Sequence, residues 1–142
     1  MNKIVAANAD QKRYILNTQR ARVLVVDDEP MLRQYLRTLL SEIGCDVVEA
    51  SNGAEAIRGS RGLRIDLLIT DLVMPDKEGI ELIRHFRKSL NHVKVIAISG
   101  AGFDHCLKAA RMLGADAVFP KPFHTKELLA AVRGLLNIEQ NC

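Results

Sequence analysis

The stretch Asp66-Leu67-Leu68-Ile69-Thr70-Asp71-Leu72-Val73-Met74-Pro75-Asp76-Lys77-Glu78-Gly79 decides the fold. Leu67 to Ile69 are continuously apolar, as a strand is when helices cover both faces of a parallel sheet. The apolar run stops at Asp71. A carboxylate therefore stands at the carboxyl end of a buried strand, the edge at which open parallel sheets bind their ligands. Met74-Pro75 forces a turn, and Gly79 lets the next helix approach closely.

The same grammar repeats on both sides. Val23 to Val26 is a buried strand ending at Asp27-Asp28-Glu29, and Pro30 suits the first turn of a helix because its missing N–H is not needed there. Met31, Leu32, Tyr35, Leu36, Leu39, Leu40 and Ile43 predict a single apolar helix face, with Gly44 as its stop. Asp46 to Glu49 is a short second strand, and Ser51-Asn52-Gly53 forms a turn and cap before a helix over 54–60. A third helix from about Glu78 carries Ile80, Leu82, Ile83 and Phe86. Val93 to Ile98 is the fourth strand, closed by Ser99-Gly100-Ala101-Gly102, and a helix from about Asp104 to Leu113 ends at Gly114. Ala117 to Phe119 is the last strand, placed at a sheet edge by the adjacent Pro120. The final helix, from about Thr125 to Leu136, buries Leu128, Leu129, Val132, Leu135 and Leu136.

Five strand–helix pairs in strict alternation predict an α/β, flavodoxin-like (βα)5 doubly wound parallel sheet with right-handed crossovers. The expected strand order is 2-1-3-4-5, with the crevice where strands one and three diverge. A closed eight-fold barrel is excluded by the length of 142 residues. That length fits one domain with a core of its own. We divide it into an N-terminal extension (1–21), a folded unit (22–138) and a short tail (139–142).

At 48% hydrophobic and 26% charged, the composition is that of an ordinary soluble domain. No apolar run approaches the roughly 18 residues of a membrane span, and Ile4 to Ala7 is too short for the core of a signal peptide. A cytoplasmic location without membrane insertion is expected. Cys45, Cys106 and Cys142 are too few and too scattered for a disulfide framework or a metal site, and read as reduced thiols. The net charge of +3 belongs to the extension, where Lys3, Lys12, Arg13 and Arg20 face only Asp10. The remainder balances 16 cations with 16 anions and carries no basic stripe, which argues against direct nucleic-acid binding.

The polar residues at the strand ends gather on one rim: Asp27 and Asp28 after strand one, Asp71 on strand three, Ser99 on strand four and Lys121 after strand five. Three carboxylates packed together repel one another unless a cation is present. Hard oxygen donors without His or Cys favour Mg2+. Lys121 as a point charge and Ser99 as a hydroxyl donor suit a phosphoryl group. No P-loop and no Gly-x-Gly-x-x-Gly turn offers a grip on a nucleotide. The economical chemistry makes Asp71 the nucleophile, accepting a phosphoryl group as an acyl phosphate.

With these residues in place, the chain resembles the receiver domain of two-component response regulators, of single-domain, chemotaxis or phosphorelay type. The matching features are Asp27-Asp28 after Val23–Val26, Asp71 within Asp-Leu-Val-Met-Pro with Gly79 beyond, Ser99 in the Thr/Ser position, and Lys121-Pro122-Phe123. The resemblance implies phosphorylation of Asp71 by a histidine kinase or histidine phosphotransfer protein, the receiver catalysing its own phosphorylation and dephosphorylation with no external substrate. It implies Mg2+ held by Asp28, Asp71 and the backbone carbonyl of Val73, with Asp27 acting through water, and a cis Lys121–Pro122 bond. It also implies a downstream protein target on the face formed by helix four, strand five and helix five, or onward phosphorelay.

One position departs from the family. Where an aromatic residue usually swings inward after phosphorylation, this chain has Val118, and Phe119, one residue on, points to the opposite face. Apolar Val73 and Ala101 flank the path of hydrolytic water in the family and predict slow loss of the phosphoryl group. Three other readings stay open. The chain is the receiver of a larger DNA-binding or enzymatic regulator, a receiver-like interaction module that is never phosphorylated, or a small phosphatase or phosphotransferase acting on free substrates.

Overall fold

The computed structural model describes residues 20–72, 78–89, 92–100 and 104–139. Ten elements alternate: β1 (Arg22–Val26), α1 (Pro30–Glu42), β2 (Asp46–Ala50), α2 (Gly53–Ser60), β3 (Leu67–Asp71), α3 (Glu78–Ser89), β4 (Lys94–Ser99), α4 (Asp104–Met112), β5 (Ala117–Pro120) and α5 (Thr125–Leu136). The five strands form one sheet in the order β2-β1-β3-β4-β5, as expected. All neighbours are parallel, with Val26 level with Ala50 and Thr70, Asp71 with Ile98, and Ser99 with Pro120.

Strand parity divides the core into two layers. Leu24, Val26, Leu68, Val95 and Ala97 pack with Ala56, Leu82, Ile83, Phe86 and Ala110 of α2, α3 and α4. Val23, Val25, Leu67, Ile69, Ile96 and Ile98 pack with Leu36 and Leu40 of α1 and Leu128 and Val132 of α5. Because β1, β3 and β4 are covered on both faces, their apolar side chains are essentially inaccessible, which explains the unbroken apolar runs.

Local signals set the element ends. Asn52 caps α2, its Oδ1 accepting from Glu55 N at 2.8 Å, while Glu55 accepts in return from Ser51 N at 3.1 Å and Ser51 Oγ at 2.9 Å. Gly44 stops α1 in the left-handed region, with φ +91°. The expected apolar face of α1 is too wide, however. Leu36 and Leu40 are buried, with Leu32, Leu39 and Ile43 packed against the same layer. Met31 is 82% exposed and Tyr35 45%. At 100° per residue Tyr35 falls on the flank of the stripe and Met31 beyond it toward solvent, and Tyr35 shares a hydrogen bond with Thr125 Oγ1 of α5 at 2.6 Å instead.

Candidate functional site

The carboxyl ends of β1, β3, β4 and β5 place the chemistry. Gly79 is essential to this arrangement, because a Cβ there would collide with the carbonyl oxygen of Asp71 and lie 2.7 Å from Leu72 Cα. The first turn of α3 thus rests directly on the end of β3. Leu72 N continues the sheet ladder to Ile98 O at 2.9 Å, so Asp71 is held rigidly. Asp27 is anchored through its N–H to Ala50 O at 3.1 Å, and Arg33 donates to its carbonyl at 2.7 Å.

Asp27, Thr70, Asp71 and Ser99 are the buried polar residues among the described ones. Thr70 uses its hydroxyl on the carbonyl of Asp71 at 3.0 Å. Ser99 Oγ is buried and has no hydrogen-bond partner among the described residues. Lys121 hangs beside it, its N–H donating to Ser99 O at 2.6 Å. The Lys121–Pro122 peptide is cis.

The ammonium of Lys121 joins the rim together. Its Nζ lies 3.0 Å from Asp71 Oδ2, 3.2 Å from Asp27 Oδ2 and 3.3 Å from Glu29 Oε1. Burial works to lower the lysine pKa, but the hydrogen bond to Asp71 and the charges of Asp27 and Asp71 outweigh it and hold the ammonium above its ordinary range. Burial pushes the Asp27 carboxyl up from 3.8 to about 6, and the neighbouring charge of Asp71 adds to this. The N–H of Glu29, donating to Asp27 Oδ1 at 2.8 Å, and the charge of Lys121 oppose that rise without cancelling it.

Oxygens of Asp27, Asp28, Glu29 and Asp71 lie within 4.8 Å of one another. Two of these residues are buried and two exposed, so the cluster is open to solvent on one side. An all-oxygen donor set with room for water fits Mg2+ and does not fit a soft transition metal.

Asp27, Asp28, Asp71, Ser99 and Lys121 thus occupy one rim, as the sequence predicted. Glu29 is the member that sequence reasoning passed over; its proximity to Asp27-Asp28 was the available signal. Val118 is half-buried against the α2/α3/α4 layer and Phe119 against the α1/α5 layer, the opposite faces that strand parity requires. Val73, Ala101 and Cys142 lie outside the described residues, as do residues 1–19 of the extension.

The response regulator receiver domain profile matches residues 23–133, and the chain belongs to that family. Among curated proteins it is 36% identical over 122 residues to a probable transcriptional regulator ycf27 of Pyropia yezoensis, covering 85% of this chain and 49% of that one. It is 36% identical over 116 residues to a transcriptional regulatory protein CpxR homolog of Haemophilus influenzae, covering 82% of this chain and 50% of that one. The chain therefore spans about half the length of these curated relatives. Among solved structures, a receiver domain protein of Clostridium thermocellum superposes with a TM-score of 0.76 at 32% identity, over 82% of this chain and 94% of that one. A receiver protein of Pseudomonas putida gives 0.75 at 33% identity, over 81% and 97%.

Proposed function

We propose that this receiver unit, residues 22–138, is a phosphorylation-dependent signalling switch that accepts a phosphoryl group on Asp71 from a histidine kinase or histidine phosphotransfer protein in the cytoplasm. The observation that carries this reading is the contact of Lys121 Nζ with Asp71 Oδ2 at 3.0 Å inside a cluster of four acids. An oxygen-only acidic cluster beside a lysine and a buried hydroxyl suits an anion that arrives with a divalent cation.

Mg2+, held by Asp28, Asp71 and the Val73 carbonyl with Asp27 acting through water, would neutralise charge on the transferring group. The chain's own residues do the rest. Asp71 supplies the nucleophilic oxygen from a strand end tied into the sheet by the Leu72 N–H on Ile98 O, which orients it before reaction. Lys121 already points an N–H at that oxygen and can follow the charge onto a phosphoryl oxygen. Ser99 offers a hydroxyl that has no partner among the described residues, and such a bond to a charged acceptor contributes about 1.5–3 kcal/mol. A near-complete two-state shift requires about 5.5 kcal/mol. Ser99 supplies part of that value as a newly made bond, while Lys121 exchanges its carboxylate partners for a phosphoryl oxygen and adds only the difference.

Output then runs through another protein on the α4–β5–α5 face, or by passing the phosphoryl group onward. The curated relatives, twice as long and named transcriptional regulators, support a further reading in which this receiver controls a DNA-binding partner domain. The test is chemical trapping. After incubation with acetyl phosphate and Mg2+, borohydride reduction should convert residue 71 alone to homoserine, located by peptide mass; trapping at another carboxylate would refute the assignment.

A further inference from the structure

Glu29 touches the reacting cluster yet is absent from the roles assigned above. Its Oε1 is 3.3 Å from Lys121 Nζ, and its side chain is 65% exposed, against 4% for Asp27 and Asp71. An ammonium has three N–H donors. Here they face three carboxylates, two inside the rim and one outside. Glu29 stands at the start of α1 but makes no side-chain cap there. Its backbone is nevertheless fixed, by its N–H on Asp27 Oδ1 at 2.8 Å and by Pro30 immediately after it. A pinned backbone carrying an exposed carboxylate at the mouth of an anion site is an electrostatic device.

Resting on the phosphoryl-acceptor reading, we propose that Glu29 is a positioning residue that slows phosphoryl entry: it draws Lys121 toward the mouth of the site and repels an anionic phosphodonor. With acetyl phosphate, an oxygen of the Asp71 carboxylate forms the bond to phosphorus and the bond from phosphorus to acetate oxygen breaks. Acetate leaves with the electron pair. Charge balances and no proton is required. Lys121 must release a carboxylate to meet the phosphoryl oxygens, and Glu29 competes for it. The same charge favours donors delivered by a protein surface, which screens or pairs Glu29, over small free anions.

The variant Glu29→Gln keeps the size and an acceptor oxygen but removes the charge, and an exposed side chain can change in this way without unfolding the protein. Phosphorylation is followed by intact mass at saturating Mg2+, at low and high salt, with acetyl phosphate and with the less negatively charged phosphoramidate. Glu29→Gln should react about 3–5 times faster than wild type with acetyl phosphate at low salt, the size expected for one nearby charge in water. The gap should close at high salt and be smaller with phosphoramidate. Glu29→Asp, which keeps the charge but not the reach to Lys121, should fall between wild type and Glu29→Gln. A Glu29→Gln rate equal to or below wild type at low salt, or a gap indifferent to salt, overturns the role of Glu29 while leaving Asp71 as acceptor. Absence of any phosphoryl addition to wild type and variant alike overturns the acceptor reading, and this role with it.

Discussion

Lys121 Nζ lies 3.0 Å from Asp71 Oδ2 across 50 residues of chain, and the same nitrogen reaches Asp27 Oδ2 at 3.2 Å. One ammonium therefore offsets the mutual repulsion of two buried carboxylates. Lys121→Ala leaves both without that partner. We predict a loss of about 2–3 kcal/mol in metal-free urea unfolding, below the range for fully buried pairs because Lys121 sits on the rim. Added Mg2+ should recover much of it, since a divalent cation answers the same repulsion; a variant as stable as wild type without metal would contradict this account.

Gly79 and Gly59 are both helical glycines with opposite expectations. Alanine at 79 drives a Cβ into the backbone of Asp71 and Leu72, whereas nothing lies within 4 Å of a Cβ at 59. Overpacking against backbone should make Gly79→Ala less stable by about 1–3 kcal/mol and blunt phosphorylation by displacing Asp71. Gly59→Ala should gain about 0.5–1 kcal/mol from helix propensity. Chemical unfolding of the two variants side by side checks the sign of each.

The architecture and most of the rim were legible because the signals are local or periodic. Apolar runs in β1, β3 and β4 report burial on two faces, and a polar residue ending each run reports the functional edge. Gly79 could be read because a glycine four residues after Met74-Pro75 stands where the next helix is expected to begin. Glu29 was not legible as a partner of Lys121. Their contact spans 92 residues, and an exposed glutamate beside a proline looks like any helix start. The exposure of Met31 and Tyr35 was equally hidden, since hydropathy does not distinguish the centre of a helical stripe from its flank. Arg87, which donates to Val93 O at 2.8 Å and also to Gly114 O and Asp116 in the loop before β5, was hidden for the same reason as Glu29.

Ser99 buries a hydroxyl that has no partner among the described residues. Its removal should therefore not harm the resting fold. Ser99→Ala is expected to match or exceed wild-type stability by up to about 1 kcal/mol. The phosphorylated form should lose stabilisation relative to phosphorylated wild type. Unfolding midpoints with and without the phosphoryl mimic beryllofluoride separate the two; a resting-state loss above about 1 kcal/mol would mean that the hydroxyl already has a structural role.

Cys45 is buried in the α1/α5 layer, and burial pushes its thiol up from 9.0 to about 11, with Asp46 and Asp66 adding to the rise. The folded protein thus holds the thiol proton more tightly than the unfolded chain. The resulting stability is fully present below pH 9 and is lost as pH rises from 9 toward 11. Cys45→Ala should show a shallower decline over that interval than wild type. Because the thiolate is the nucleophile, Cys45 should also resist maleimide at about pH 8 until urea unfolds the chain. Rapid native labelling of Cys45 would contradict its burial.

The most direct test of the central claim is the intact mass of the protein after incubation with acetyl phosphate, for wild type with and without Mg2+ and for Asp71→Asn with Mg2+. Wild type with Mg2+ should gain a single phosphoryl group, and the other two samples none. Addition to Asp71→Asn at the wild-type level, or no addition to folded wild type with Mg2+ bound, would contradict that claim.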